Sequence, residues 1–253
     1  MNTLTVESKF INNGKKTVLQ FPTPEQDIHS QIHEILVDEY YKPKYPENDV
    51  CVDVGANIGM ASLYLSNFCK RVYSIEPSPK IYEALVENVK GTSIKTFNHA
   101  IFTDSLSLRL LGYRNEPPQT THIDSGNTHA LPTEQIFVSA ISLKTFMEDN
   151  NIDKIDVLKI DVEGSEYEIF GDDSFDEVAP RINCIVGETH YTMENAVPQL
   201  AEYLLKEHGF NFKFLKGKRN SNMFKQVNYD RGGKTVKSFT FPLWTNFIAW
   251  KKR

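Results

Sequence analysis

The chain has 253 residues, 40% of them hydrophobic, and a formal net charge of −5, which suits one large α/β domain with additions rather than two full domains. No apolar run approaches the length of a membrane span, and the first residues lack the apolar core of a signal peptide. The three cysteines lack metal-binding spacing, and Cys51 and Cys184 fall in apolar runs, so we expect buried, reduced thiols in a cytoplasmic protein.

The charge is unevenly distributed along the chain. Residues 206–253 hold 12 Lys and Arg against 2 Asp and Glu, which leaves 16 against 31 for residues 1–205. A basic segment on an acidic body indicates an anionic partner, although a solvated surface explains it equally simply. The acidic remainder argues against a broad nucleic-acid-binding face.

The N-terminal residues predict a hairpin and then a helix. They form an extension, residues 1–44, ahead of a main domain, residues 45–253. An Asn-Gly pair between apolar runs in 3–22 is a strong hairpin signal. Thr23 and Pro24 are typical of the cap and first position of a helix. We expect this extension to cover part of the core.

A buried strand at 50–54 runs directly into a glycine loop and a helix. The loop reads D-V-G-A-N-I-G, and its glycines let a ligand approach the free N–H groups of the helix start. It differs from the dinucleotide fingerprint, because Asn57 stands where the middle glycine would be. Asp53, Gly55, Asn57 and Gly59 are therefore candidate binding residues for a nucleoside ligand smaller than NAD.

The next predicted strand, 72–76, ends in an acid. Glu76 lies 21 residues beyond Gly55. An acid at this strand end is placed to accept hydrogen bonds from two ribose hydroxyls. The glycine loop and the acid are specific as a pair, whereas either alone is a weak signal.

A third strand, at about 94–98, precedes an insertion at 105–140. The insertion contains two strand-like runs separated by Asn115–Glu134, which is rich in Pro, Thr, Ser, Asn and Gly. A polar loop of this length is either a functional flap or a surface loop, and the residues leave both open.

The rest of the chain continues the alternation of strands and helices. Strands are predicted at 155–161, 182–188, 210–215 and 246–251, with helices at 165–170 and 194–208. This order predicts an α/β fold with a doubly wound, seven-stranded, mostly parallel sheet. Ligands bind beyond the carboxyl ends of such strands. We therefore expect one edge of the sheet to collect Asp53, Gly55, Glu76, Asp161, Glu188 and His190.

Three motifs, D-V-G-A-N-I-G, S-I-E-P and K-I-D-V-E-G-S-E-Y-E, together resemble the FkbM family of S-adenosylmethionine-dependent methyltransferases over about residues 45–190. The resemblance implies the Rossmann-like class I methyltransferase fold, S-adenosylmethionine as the cofactor, and O-methylation of a sugar or natural-product hydroxyl. It also implies that Ala100, after strand three, lines the adenine pocket. In the polar loop, it implies that Ser125 contacts the cofactor's methionine end or the acceptor.

Asp161, Glu163, Glu188 and His190 form the candidate catalytic cluster. Like charges at adjacent strand ends raise each other's pKa, so such a group is costly without a use. In the favoured interpretation Asp161 pairs with the cofactor's ammonium group. His190, oriented by Glu188, then takes the proton of the acceptor hydroxyl, and Glu163 is the second choice of base. A divalent cation is a less favoured interpretation. In the third, Glu163 and Glu166 only stabilise a helix start.

The segment 216–244 interleaves basic and aromatic residues between the last two strands. It is either a solvated excursion or a lid over a phosphorylated or nucleotide-linked sugar. The sequence therefore predicts an O-methyltransferase that acts on a saccharide or related small metabolite, with an anionic acceptor suggested by this segment. The alternatives are an RNA methyltransferase and a non-catalytic module that binds a nucleoside.

Overall fold

The computed structural model describes residues 2–11, 14, 16–21, 25–103, 108–112, 122–123, 134–190, 198–215, 229–231, 234–236 and 244–252. Within these ranges the helices are α1 (Glu25–Leu36), α2 (Met60–Leu65), α3 (Pro79–Asn88), α4 (Leu143–Asp149), α5 (Glu166–Gly171), α6 (Asp173–Val178) and α7 (Pro198–Glu207), with a short 3-10 turn at Ala179–Arg181. The strands are β1 (Asn2–Val6), β2 (Thr17–Phe21), β3 (Asn48–Val54), β4 (Cys69–Ile75), β5 (Lys95–Phe97), β6 (Ala100–Ile101), β7 (Leu108–Gly112), β8 (His122–Ile123), β9 (Glu134–Val138), β10 (Ala140–Ile141), β11 (Ile155–Ile160), β12 (Ile182–His190), β13 (Asn211–Phe214), β14 (Tyr229–Arg231), β15 (Lys234–Val236) and β16 (Trp244–Trp250).

Seven of these strands form the central sheet, in the order β5-β4-β3-β11-β12-β16-β13. Neighbouring strands are parallel except at β16, which is antiparallel to both β12 and β13. The chain runs outward from β3 in one direction and from β11 in the other, so the strand order switches between β3 and β11. The predicted doubly wound, mostly parallel, seven-stranded sheet is confirmed.

The pattern of β3 shows how the sheet is covered on both faces. Val50, Val52 and Val54 belong to one core cluster, which includes residues of α4 to α7. Cys51 belongs to the other cluster, with residues of the N-terminal hairpin and of α1 to α3. Successive side chains of a strand point to opposite faces, so a strand buried on both faces reads as a nearly continuous apolar run.

The N-terminal hairpin packs into the second of these clusters. β1 and β2 pair antiparallel, as predicted, and Leu19 and Phe21 are buried with Cys51. The side chain of Asn88 on α3 accepts from the Gln20 N–H at 2.6 Å and donates to the Gln20 carbonyl at 2.8 Å. The extension therefore covers one face of the sheet as expected, while its boundary at residue 44 stays a prediction.

The insertion forms small sheets of its own. β7 pairs antiparallel with both β8 and β9, and β6 pairs parallel with β10. Most of the polar loop at 115–134, including Ser125, lies outside the described residues, as does most of 216–244. After the insertion, the hydroxyl of Ser142 accepts from the Thr145 N–H at 3.1 Å and so caps α4.

Two expectations from composition are answered by the structure. None of the helices in the described ranges combines the length and apolar character needed to cross a membrane. Cys51 and Cys184 are buried free thiols, and so is Cys69.

Candidate active site

The carboxyl ends of four neighbouring strands define the candidate site. β4, β3, β11 and β12 lie side by side in that order and run parallel. Gly55 follows β3, Glu76 follows β4 and Asp161 follows β11. Glu188 and His190 are among the last three residues of β12. The expected convergence at one sheet edge therefore occurs.

The loop after β3 needs glycine for two packing reasons. Gly55 has φ +73°, and a Cβ there would lie 1.8 Å from the main-chain oxygen of Asp161. Gly59 has φ +91° and caps α2, and a Cβ there would lie 2.8 Å from a methyl carbon of Leu85. Because this left-handed residue cannot continue a helix, α2 begins at Met60.

The same loop is tied to the end of β4. The N–H groups of Gly55 and Ala56 both donate to the carbonyl of Ile75, at 3.0 and 2.9 Å. Asn57, with φ +49°, donates its N–H to Oε2 of Glu76 at 3.0 Å. The glycine loop and the predicted ribose acid are thus parts of one hydrogen-bonded unit.

Glu76 is a buried carboxylate held by main-chain donors. Its Oε1 accepts from the Ser78 N–H at 2.9 Å, and its side chain is almost fully enclosed. Burial raises the pKa of Glu76 to about 7, although the Ser78 and Asn57 N–H groups oppose this. A carboxylate has about four acceptor positions, and the main chain uses two, so Glu76 keeps acceptor capacity for a ligand.

Asn98 links the third strand end to this unit. Its side-chain amide donates to the carbonyls of Glu76, at 2.8 Å, and Pro77, at 3.0 Å. Ala100, two residues later, is buried and pairs with Ala140 in the β6–β10 ladder. The segment in which the adenine contact was expected therefore adjoins Glu76, through an asparagine that the sequence analysis did not single out.

Asp53 lies beneath the loop. The side chain is fully buried, and its Oδ2 accepts from the Ser62 hydroxyl at 2.6 Å. Its Oδ1 lies 3.2 Å from Nζ of Lys159. Asp53 is enclosed by protein groups, and its partner Lys159 donates to the carbonyl of Gly55 in the loop. Asp53 therefore supports the loop through Lys159.

Lys159 is a buried cation that the sequence analysis missed. Its Nζ donates to the carbonyl of Gly55 at 2.6 Å and lies 3.8 Å from Oδ2 of Asp161. Burial acts to lower the pKa of Lys159, but Asp53 and Asp161 outweigh it and raise the pKa above its ordinary value. A lysine between the apolar residues Leu158 and Ile160 of β11 was the available signal, because buried charges need partners.

Asp161 is also held from the N-terminal extension. The hydroxyl of Tyr41 donates to Oδ2 of Asp161 at 2.8 Å, and the ring of Tyr41 faces Nζ of Lys159, 5.3 Å from its centroid. Burial, together with the charge of Asp161, raises the pKa of Tyr41 well above its usual value. The extension therefore contributes a wall of the site.

His190 lies among four carboxylates. Its Nδ1 is 3.0 Å from Oε1 of Glu166. On the other side of the ring, Nε2 is 3.3 Å from Glu163, 3.5 Å from Glu188 and 3.9 Å from Asp161. The predicted cluster is thus assembled. Glu188, the expected orienting residue, lies on the Nε2 side, however, and Nδ1 is held by Glu166.

These charges change the acid strength of the cluster. Burial alone lowers the pKa of His190, but Glu163 and Glu166 outweigh it and raise that pKa well above its ordinary value. Burial, and then the charge of Asp161, raise the pKa of Glu188 well above its usual range. His190 and Glu188 therefore titrate far from the values of isolated side chains.

One group of described residues has the spacing of metal ligands. Ligand atoms of Asp161, Glu166 and His190 lie within 4.8 Å of one another. The Glu166 oxygen that faces His190 already accepts hydrogen bonds from the N–H groups of Val162 and Gly164. A cation there would have to compete with these hydrogen bonds for the same carboxylate oxygen.

Comparison with known proteins adds the following matches. A family model described as Methyltransferase FkbM domain matches residues 53–212. The 31-O-demethyl-FK506 methyltransferase FkbM of Streptomyces tacrolimicus is 29% identical over 209 residues, which are 70% of this chain and 79% of the relative. The hexuronic acid methyltransferase AglP of Haloferax volcanii is 29% identical over 148 residues, 57% of each chain. Methyltransferase sdnD of Sordaria araneosa is 26% identical over 211 residues, 70% of this chain and 80% of the relative. Tyr41 lies outside the range that the family model matches.

Proposed function

Since this chain belongs to the FkbM family of S-adenosylmethionine-dependent methyltransferases, we propose that it methylates a hydroxyl of a saccharide or related small metabolite, with His190 as the general base. The observation that carries this proposal is the placement of His190, whose ring lies at the same sheet edge as Glu76 and the glycine loop. A base and a cofactor site at one edge are what transfer to a hydroxyl requires.

The residues of the β3 and β4 ends fit the cofactor. Glu76 has free acceptor positions for the two ribose hydroxyls, and the Gly55–Asn57 loop brings main chain close to them. Asp161 is partly exposed and anionic, which suits the ammonium group. When bound, the cofactor supplies a methyl group on a sulfonium, with a neutral thioether as the leaving group. Asp53 and Lys159 have supporting roles beneath the loop, and Gly59 serves the packing of α2 on α3.

His190 is proposed to take the proton of the acceptor hydroxyl at Nε2. An alcohol is a weak nucleophile while protonated, and a positioned base contributes roughly 10²–10⁴-fold. Glu163 and Glu188 flank Nε2, and they stabilise the imidazolium that results. Glu163 is the more exposed of the two, with 31% of its side chain accessible against 12% for Glu188. It is therefore suited to pass the proton on to solvent.

The acceptor is proposed from the site's charge and from the relatives. The carboxyl groups of Asp161, Glu163 and Glu188 form a wall around Nε2, which favours a neutral hydroxyl next to the base. A charged group of the acceptor, such as a carboxylate or phosphate, would have to lie away from this wall. Two relatives carry names that specify a hexuronic acid and 31-O-demethyl-FK506 as acceptors. A saccharide hydroxyl agrees with both considerations.

A product assay tests the proposal. The purified chain is incubated with S-adenosylmethionine and separate panels of neutral sugars, uronic acids, sugar phosphates and RNA, and S-adenosylhomocysteine release is measured. We expect turnover with a saccharide panel that is lost in His190→Gln while cofactor affinity is kept. Product with RNA alone, or tight cofactor binding without product on any panel, would overturn the assignment.

A further inference from the structure

The two ring nitrogens of His190 have different surroundings. Among the residues that the structure describes, Nδ1 faces a single carboxylate, that of Glu166, which has no exposed surface and lies at 3.0 Å. Nε2 faces the partly exposed carboxylates of Glu163, Glu188 and Asp161, which lie farther away, at 3.3 to 3.9 Å. One nitrogen is therefore turned into the protein and the other towards the open part of the cluster.

Glu166 is itself fixed in place. The oxygen that faces His190 also accepts the N–H groups of Val162 and Gly164, at 3.1 and 3.3 Å. Its other oxygen is buried and has no hydrogen-bond partner among the described residues. A buried acid with one oxygen unsatisfied is costly, so the orientation of the carboxylate is not explained by local stability alone.

The next residue of α5 holds the main chain of His190. The hydroxyl of Tyr167 donates to the carbonyl of His190 at 2.6 Å, and Tyr167 is buried. Consecutive residues of one helix thus secure the ring and the backbone of His190. This contact is independent of the carboxylate, and it limits how far the main chain of His190 can shift.

We propose that Glu166 is the positioning residue of the base: it accepts the Nδ1 proton of His190 and so leaves the lone pair on Nε2, facing the acceptor. This inference rests on the proposed function, in which His190 takes the proton. The acceptor O–H bond breaks, the proton forms a new N–H bond at Nε2, and the electron pair stays on oxygen to bond the incoming methyl carbon. The Nδ1 proton stays on the ring, and Glu166 balances the imidazolium charge.

The tautomer of wild-type His190 provides a test that needs no change at Glu166. Nitrogen chemical shifts distinguish a protonated from an unprotonated ring nitrogen, and the His190→Gln spectrum assigns His190 among the 7 histidines. At a pH where the ring is neutral, we expect the proton on Nδ1. A proton on Nε2 in the neutral ring would overturn the inference.

Kinetics of Glu166→Gln supply the second test, with Glu168→Gln as the matched control. Both changes remove a carboxylate from the first turn of α5, but Glu168 is exposed. The charges that face the ring are those of Glu166, Glu163, Glu188 and Asp161. We expect Glu166→Gln to move the rising limb of the turnover–pH profile to lower pH and to lower the plateau by roughly 10²-fold, with KM for the cofactor unchanged. Glu168→Gln should reproduce the wild-type profile.

The outcomes separate this inference from the function on which it rests. If His190→Gln is inactive while Glu166→Gln superimposes on wild type, the positioning role fails and the base assignment stands. If His190→Gln keeps full turnover, the base assignment itself fails. Glu166→Asp keeps the charge but withdraws it from Nδ1, and we expect a lowered plateau with a smaller shift of the pH profile. A wild-type plateau in Glu166→Asp would count against a positioning role.

Discussion

At the ends of β3 and β4 the site is made mainly of main-chain groups, whereas at the ends of β11 and β12 it is made of ionisable side chains. In the first region, Gly55, Ala56 and Asn57 present N–H groups that bond Ile75 and the one carboxylate, Glu76. In the second, each of four carboxylates has an oxygen 3.0 to 3.9 Å from a ring nitrogen of His190.

The difference shows that two regions of one sheet edge suit two different tasks, nucleoside binding and proton transfer. Binding a nucleoside needs shape and fixed hydrogen bonds, which a tight loop supplies without titrating. Moving a proton needs groups whose pKa values have been shifted by their neighbours, which a cluster of side chains supplies. Changes in the first region should therefore affect folding and cofactor affinity, and changes in the second should affect turnover and its pH dependence.

The largest effect is expected in the second region. His190→Gln should lower turnover by roughly 10²–10⁴-fold and leave cofactor affinity unchanged. In the wild type, turnover should rise with pH through the raised pKa of His190, because only the neutral ring accepts a proton. Steady-state assays from about pH 6 to about pH 10 measure the loss of turnover in the variant and the pH dependence of the wild type. A wild-type profile that falls with pH would contradict the assignment.

In the first region, Gly55→Ala should be the most damaging change to folding. Its Cβ would lie 1.8 Å from the Asp161 carbonyl oxygen at a positive φ, and we expect a loss of about 3–5 kcal/mol of stability. Gly91→Ala is the matched control, because Gly91 also has a positive φ but has no atom within 4 Å of the added Cβ. It should cost about 1–2 kcal/mol. Equal thermal unfolding of the two variants would show that the close approach to β11 is not essential.

The carboxylate of Glu76 should make the stability of the cofactor-free protein depend on pH. Its pKa is raised from 4.5 to about 7 in the folded state, so its stabilising contribution is complete below pH 4.5 and is lost as the pH rises through 7. Over this rise in pH, the wild type should lose on the order of 3 kcal/mol of its free energy of unfolding relative to Glu76→Gln. Thermal unfolding from pH 5 to 8 measures this, and parallel curves for both proteins would rule it out.

Loss of the same carboxylate should weaken cofactor binding. Glu76→Ala removes charge-assisted hydrogen bonds to the ribose hydroxyls and should cost about 1–3 kcal/mol of binding free energy. Glu83→Ala, on the exposed face of α3, serves as the control. Calorimetric titration with S-adenosylmethionine compares them, and unchanged affinity in Glu76→Ala would remove this residue from the ribose role.

The smallest effect is expected from a change in the N-terminal extension, at the hydrogen bond between Tyr41 and Asp161. Tyr41→Phe removes the hydrogen bond to Asp161 and should cost about 1 kcal/mol of stability, with a small loss of cofactor affinity. Tyr45→Phe is the control. It loses a comparable hydrogen bond, to the carbonyl of Lys251 just after β16, and should lower stability without changing cofactor affinity. Identical affinities in both variants would show that the extension does not influence the site.

The sequence was most informative where one local pattern decides the structure. The run from Val50 to Gly59 predicts strand, turn and helix, because apolar alternation and glycine act within a few residues. The spacing from Gly55 to Glu76 predicted the acid at the next strand end. Both signals depend on neighbours in the chain, and the fold places both as expected.

The side-chain cluster was only partly predictable. The strand ends indicated that His190 would approach Asp161 and Glu163, but not which carboxylate would face which nitrogen. Glu188 was the expected orienting residue, two positions from His190 on the same strand. In the structure, Glu166 takes the inward nitrogen, because the turn before α5 directs its side chain under the ring.

The sequence by itself determined the order of strands and helices, the seven-stranded sheet and the edge at which the polar residues collect, because hydrophobic period and turn residues act over short distances. Only the tertiary structure decided that Lys159 pairs with Asp53, that Tyr41 bonds Asp161 and that Glu166 faces His190. These contacts join residues more than 20 positions apart in the chain. Their geometry depends on how strands and helices pack against one another, and no local pattern encodes it.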